Sequence, residues 1–128
     1  MRYKITLEYD GTPFIGWQKQ ESHLSVQGVL ESALQTYFRT ETPVCGSGRT
    51  DAGVHALGQV AHFDCDKKLK AREFIYSINS LMRPNPIVIK KLEKADEEFH
   101  ARFSAIQRTY LYRIQNTPYS PALNKGRV

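Results

Sequence analysis

The 128-residue chain is poor in the residues that build disulfide frameworks and zinc sites. Cysteine occurs only twice, at Cys45 and Cys65, and two thiols cannot form the multiple bridges of a small secreted domain. A zinc set would have to draw on Cys45, His55, His62 and Cys65. No Cys-x-x-Cys pair is present, and the alternating faces of a strand separate His62 from Cys65. We therefore expect no metal ion and two buried thiols in reducing surroundings.

Long apolar runs are also missing. No window approaches the roughly 18 apolar residues that a membrane helix needs, and the N-terminus runs directly into a strand pattern rather than a signal peptide. A hydrophobic content of 41% with 24% charged residues is typical of a globular protein, and the length fits one domain. We expect a cytoplasmic protein with no membrane partner.

Positive charge is scarce in the first half and concentrated in the second. Residues 1–64 carry five Lys and Arg against seven Asp and Glu, a net charge of −2. Residues 65–128 carry thirteen against six, a net charge of +7. A basic half favours a polyanionic partner such as RNA, although exposed lysines also serve only to keep a surface solvated.

Hydrophobic periodicity predicts the first strand and the first helix. Tyr3, Ile5, Leu7 and Tyr9 alternate with polar residues, which indicates a half-buried strand. A helical repeat follows, with Ser25 as its predicted N-cap. Its apolar members are Val26, Val29, Leu30, Ala33, Leu34, Tyr37 and Phe38. The aromatic residues between the two elements either pack that loop onto the sheet or offer a surface to a base.

The rest of the chain predicts an α+β fold. Strands are expected at Val44–Cys45, over 59–64, over 86–92 and over 106–116, with a helix near 74–82 and a charged loop over 93–98. The link between the second and third strands is too short for a parallel crossover, so these strands should pair antiparallel. The prediction is ferredoxin-like: a mainly antiparallel sheet with two helices on one face.

The stretch from Gly46 to Ala56 carries the strongest chemical signal. Its glycines allow positive φ and close approach to a ligand, and they flank Arg49 and Asp51. If the backbone is extended there, the guanidinium can hold the carboxylate ionised and directed. Such an aspartate suits a nucleophile or a general base. Turn chemistry and a surface ion pair would produce the same residues.

Three segments resemble the TruA family of tRNA pseudouridine synthases. They are Gly48-Arg49-Thr50-Asp51-Ala52-Gly53-Val54-His55-Ala56, the run Tyr9-Asp10-Gly11-Thr12-Pro13-Phe14-Ile15-Gly16-Trp17-Gln18, and Phe99-His100-Ala101-Arg102-Phe103-Ser104-Ala105 followed by Arg108-Thr109-Tyr110-Leu111-Tyr112. Their order and spacing match the family's first half, so residues 1–128 are expected to form a single N-terminal catalytic-motif domain without the C-terminal half.

The resemblance implies isomerisation of uridine to pseudouridine in the tRNA anticodon stem-loop, with no cofactor. It implies Asp51 as the catalytic residue, attacking the base or the sugar or removing a sugar proton, and Tyr110 as the residue that stacks on the flipped base. Support is expected from Gly48, Arg49, Thr50, Gly53 and His55, the last as a loop residue that orders the site. Candidate phosphate contacts are Lys19, Arg102 and Arg108.

The resemblance further implies a homodimer in the full-length form. The alternatives are an inactive fragment of the enzyme and a non-catalytic RNA-binding module on a ferredoxin-like sheet. The RRM signature is absent from the sequence, which leaves such a module without its usual motif.

Overall fold

The N-terminal alternation forms the central strand of a sheet. In the computed structural model, which describes residues 1–105 and 109–111, strand β1 spans Arg2–Tyr9. Its odd-numbered side chains Tyr3, Ile5, Leu7 and Tyr9 are buried, and the residues between them are half-buried. Each fully buried aliphatic side chain contributes about 1.5–3 kcal/mol relative to exposure. The alternation therefore fixes which face of β1 meets the core.

The remaining elements complete the predicted ferredoxin-like fold. They are α1 (Val26–Phe38), β2 (Cys45–Gly46), β3 (Ala56–Asp64), α2 (Ala71–Met82) and β4 (Ile87–Ala95). The strand order is β2-β3-β1-β4, and all neighbouring strands are antiparallel. The β-α-β-β-α-β sequence of elements with this antiparallel sheet confirms the prediction, including the antiparallel pairing of β2 with β3.

Both helices pack their apolar stripes into the core. Ser25 caps α1 as predicted, since its hydroxyl accepts a hydrogen bond from the Gly28 N–H at 3.1 Å. Lys70 provides no side-chain cap for α2, which is why the sequence marks that boundary weakly. The aromatic rings of Tyr37, Phe38, Phe63 and Phe74 contact one another between helices and sheet. Within 1–105 and 109–111, the helices are too short and too polar to span a bilayer.

Two strands are longer than predicted. β3 begins at Ala56 instead of residue 59, and β4 continues to Ala95 instead of ending at residue 92. Both pair with β1, which matches Tyr9 to Ala56 and Arg2 to Ala95. Both neighbouring strands are therefore extended because they pair along the full length of β1. The charged loop predicted over 93–98 is wrong for residues 93–95, which belong to β4.

The predicted fifth strand, over 106–116, falls mainly outside the described residues. Residues 109–111 are described, and they are not in a strand.

The aromatic residues after β1 pack inward. Phe14 and Trp17 are 3% and 4% exposed and belong to the hydrophobic core. The packing interpretation of this loop is confirmed, and neither ring is available as an open stacking surface. Trp17 lies over Gly46 of β2, where only a residue without a side chain leaves room for the indole.

Replacing Gly46 with Ala tests this packing. The new Cβ would lie 2.7–2.9 Å from Trp17 ring atoms, and overpacking of this kind costs about 1–3 kcal/mol of unfolding free energy. Gly58→Ala is the control, because its Cβ would meet nothing closer than 3.9 Å, so its stability should stay constant or rise by up to about 1 kcal/mol. Urea unfolding of both variants measures the difference, and equal effects would contradict this account.

Candidate active site

The loop between β2 and β3 is bound to the loop that follows β1. We call residues 47–55 the glycine loop and residues 10–17 the aromatic loop. The two loops meet in an antiparallel bridge between Gly16 and Asp51, separate from the main sheet. The backbone of the predicted catalytic residue is therefore fixed by a partner loop, although the side chain of Asp51 is exposed.

Two further backbone hydrogen bonds join the loops on either side of this bridge. The Trp17 N–H donates to the Thr50 carbonyl at 3.0 Å, and the Gly53 N–H donates to the Phe14 carbonyl at 3.2 Å. Because Phe14 and Trp17 are anchored in the core, these bonds transfer the rigidity of the core to the glycine loop.

Close approach of the loops explains two glycines. Gly16 has a φ of +120°, and a Cβ there would overlap the Thr50 carbonyl oxygen. A Cβ at Gly11 would overlap the Val54 carbonyl oxygen. Any larger residue at these positions would push the loops apart, so the glycines of the aromatic loop are required by contact.

Tyr9 supports the glycine loop from the end of β1. Its hydroxyl lies 2.9 Å from the Thr50 hydroxyl. Burial raises the pKa of Tyr9, and the hydrogen bond with Thr50 acts in the opposite direction. Tyr110 also raises that pKa slightly, since a negative charge there would disfavour ionisation of Tyr9. Tyr9 is therefore a neutral phenol whose hydroxyl orients Thr50.

His55 connects the far end of the glycine loop to the aromatic loop. Its Nδ1 accepts a hydrogen bond from the Gly11 N–H at 2.9 Å. Next to it, the Asp10 carboxylate accepts bonds from the Thr12 N–H and hydroxyl, which closes a tight turn. His55 thus lies where it can order the loop.

The ion pair that the sequence predicts between Arg49 and Asp51 is absent from the part of the chain that the structure describes. The turn lies after Asp51, whose carbonyl accepts a hydrogen bond from the Val54 N–H at 3.2 Å, so it does not separate Arg49 from Asp51. Both side chains are exposed, and an exposed ion pair gains little over solvation of the two charges by water.

A cleft of about 520 Å³ opens beside the glycine loop. It is lined by Trp17, Gln18, Gln27, Val44, Cys45, Gly46, Ser47, Gly48, Arg49, Arg102 and Tyr110. Two of these residues are cationic, and Tyr110 is 60% exposed. The cleft thus combines positive charge with an accessible aromatic ring, a combination that suits single-stranded nucleic acid.

The other predicted site residues are distributed as follows. The Gly48 carbonyl accepts a hydrogen bond from the Gln59 amide. Gly53 adopts a φ of +80° in the turn after Asp51. Lys19 pairs with Glu31 at 3.6 Å outside the lining of the cleft. Arg108 lies outside the described residues.

A family model described as tRNA pseudouridine synthase matches residues 5–104. The chain belongs to this family. Relatives named tRNA pseudouridine synthase A are 53% identical over 127 residues in a Bradyrhizobium species, 47% over 127 in Parvibaculum lavamentivorans and 48% over 126 in Methylocella silvestris. These alignments cover 98–99% of the chain and 51–52% of each relative. The chain therefore spans about half the length of the curated relatives it matches.

The tRNA pseudouridine synthase match includes both loops. It also includes the turn at 100–104, which places Arg102 in the cleft, but it ends before Tyr110. The glycine loop, with its hydrogen bonds to the aromatic loop, therefore lies within the matched segment. The two cationic residues of the cleft, Arg49 and Arg102, lie within it as well.

A cluster of imidazoles and a thiol lies next to the cleft. Ligand-type atoms of Cys45, His62 and His100 all lie within 4.8 Å of one another. Cys45 and His62 belong to the zinc set considered from the sequence, and His100 does not. In the sequence, His100 is marked only by its place in the third segment that resembles the family. Its proximity to Cys45 and His62 is not predictable from the sequence, because those residues lie on β2 and β3, far away along the chain.

Hydrogen bonding in the cluster does not suit a metal ion. The Nδ1 atoms of His62 and His100 both accept backbone N–H bonds, so in the neutral rings the protons are on Nε2. A metal at Nε2 needs the opposite arrangement, in which Nδ1–H donates to a carbonyl or carboxylate. We therefore assign a structural role to the cluster.

His62 makes stability depend on pH. Burial lowers its pKa below the ordinary value of 6.5, with further lowering by the charges of Arg2 and His100 and a smaller opposite effect of Asp64. The unfolded chain then binds the proton more tightly than the folded chain. Stability should be full above about pH 6.5 and should fall as the pH drops from there to the folded-state pKa.

His62→Asn is the matched variant, because its amide oxygen can still accept the Ala101 N–H without titrating. Urea unfolding between about pH 8 and about pH 5 should show wild type losing stability relative to His62→Asn as the pH falls. A constant difference across this range would contradict the assignment, as would a loss on raising the pH.

Proposed function

We propose that the complete polypeptide carrying this sequence converts uridine to pseudouridine in tRNA, with Asp51 as the catalytic residue. The observation that carries the proposal is the placement of Asp51. Its backbone is held by the Gly16 bridge and its side chain is exposed, two residues after Arg49, which lines the cleft. Membership of the tRNA pseudouridine synthase family supports the reaction class.

The reaction places modest demands on the protein. The N1–C1′ bond of uridine breaks, the base turns, a C5–C1′ bond forms, the proton on C5 is released, and N1 takes up a proton. No net oxidation or reduction occurs, so the step calls for no redox cofactor. A carboxylate in a fixed position can attack the base, attack the sugar or remove a sugar proton. Each route needs Asp51 to be oriented before the substrate arrives. The backbone hydrogen bonds between the aromatic loop and the glycine loop support such an orientation.

The cleft supports recognition of an extruded nucleotide. An enzyme acting on a base within stacked RNA must flip that base out. The exposed ring of Tyr110 lines the cleft and would stack on it, and such stacking is worth about 1–3 kcal/mol per base. The cationic Arg49 and Arg102 line the same cleft and would bind neighbouring phosphates.

The family resemblance also guides the finer substrate proposal. We take the target to be uridine in the anticodon stem-loop, acted on by a cytoplasmic homodimer. Because this chain spans about half of its relatives, we expect the second wall of the cleft to come from the remainder of the complete polypeptide. That wall would exclude water and grip the flipped base.

Asp51→Asn in the complete polypeptide tests the proposal. The amide is neither nucleophile nor base, so pseudouridine formation should fall by at least about 10²-fold while the fold and tRNA affinity remain. Release of tritium from tRNA containing 5-tritiated uridine measures the reaction.

Asp66→Asn is the control, because Asp66 is exposed on the turn after β3 and lies outside the lining of the cleft. Its activity should match wild type. Asp51→Asn activity within about threefold of wild type would exclude Asp51 as the catalytic residue. Tight tRNA binding without any isomerisation by wild type would favour the non-catalytic RNA-binding module.

A further inference from the structure

We infer that His100 is a positioning residue that holds Arg102 in the cleft, where the guanidinium binds an RNA phosphate. The inference rests on the proposed function, because it takes the cleft to be the RNA-binding site. It assigns a role to the Cys45–His62–His100 cluster, which carries no metal-type hydrogen bonding.

The backbone around Arg102 is tied to imidazole nitrogens. The Arg102 and Phe103 N–H groups both donate to His100 Nδ1 at 3.2 Å. The preceding Ala101 N–H donates to Nδ1 of His62 at 3.0 Å. Three consecutive N–H groups of one turn thus point at two rings. An irregular turn would otherwise satisfy such groups with water, and here they fix the backbone from which the Arg102 side chain extends.

The His100 ring is itself held in place. Its Nε2 lies 3.5 Å from the Cys45 sulfur of β2, and the ring stacks on Phe103 with a centroid distance of 4.3 Å. The ring centre of His62 on β3 lies 4.7 Å away. Contacts with two strands therefore hold the ring against the sheet. The hydrogen bonds that its Nδ1 accepts then hold the backbone of the turn in place.

The turn is also closed by its own hydrogen bonds. The His100 N–H donates to the Ser104 hydroxyl at 3.0 Å, and the Ser104 N–H donates to the His100 carbonyl at 2.7 Å. These bonds set the shape of the turn but do not connect it to the sheet. The imidazoles connect it to β2 and β3, and Arg2 of β1 donates to the Phe99 carbonyl just before it at 2.6 Å. Removing the His100 Nδ1 acceptor should therefore loosen the Arg102–Phe103 end of the turn, and Arg102 with it.

Two substitutions at His100 separate the acceptor from the ring. In His100→Asn, the amide oxygen can occupy the place of Nδ1. In His100→Gln, the longer side chain carries the amide toward the place of Nε2 and removes the Nδ1 acceptor. Arg102→Ala removes the group that is being positioned, and the double variant His100→Gln with Arg102→Ala tests whether His100 acts through Arg102.

The measurement is tRNA affinity of the complete polypeptide over a series of salt concentrations. His100→Gln and Arg102→Ala should each weaken binding by about tenfold and reduce the slope of log affinity against log salt by about 0.7–0.9, the value for one phosphate contact. His100→Asn should stay within about threefold of wild type. The double variant should bind no more weakly than Arg102→Ala.

A partly unfolded variant would lower the active fraction without changing the salt slope, so the slope distinguishes positioning from stability. The inference is overturned if His100→Gln leaves the slope unchanged, if His100→Asn behaves like His100→Gln, or if the double variant adds the two losses. Pseudouridine formation by wild type is measured in parallel. Its absence would overturn the proposed function, whereas activity with an unchanged slope would overturn only the role of His100.

Discussion

Backbone hydrogen bonds between the aromatic loop and the glycine loop are the constraint on which the rest of the site depends. The aromatic loop is fixed on one side by its buried rings, and its Gly16 and Trp17 carbonyls accept the first N–H groups of α1. On the other side it bridges to Asp51. Core, helix and glycine loop are therefore connected through a few backbone contacts, and two glycines make those contacts sterically possible.

The fold could be predicted from the sequence because its signals are local. Alternation over β1 and the helical repeat after Ser25 each report the burial of one face, and turn residues mark most boundaries. Strand ends were predicted less well. The extra residues of β3 and β4 owe their strand conformation to pairing with β1, and that pairing depends on register across the sheet, which neighbouring residues along the chain do not encode.

The site was predictable only in part, for the same reason. Asp51 lies on the predicted glycine-bounded loop but is not among the residues that line the cleft, whereas Tyr110 and Arg102 are. The predicted pairing of Arg49 with Asp51 is wrong, because both side chains are exposed and an exposed ion pair gains little over solvation by water. His100 was not predicted, since the proximity of its ring to Cys45 and His62 arises from packing of a distant turn on β2 and β3. The bridge to Gly16 likewise joins residues that are remote in sequence.

Amide hydrogen exchange tests the central claim most directly, because it reads the loop contacts without requiring RNA. The Trp17 and Gly53 N–H groups donate two of the hydrogen bonds that join the loops. If these bonds fix the glycine loop, both amides should exchange within about tenfold of the Ile5 amide in the central strand, because opening of the loop would then cost nearly as much free energy as opening of the core. Exchange of either amide at the rate of an unstructured peptide would show that the glycine loop opens independently and would contradict the account.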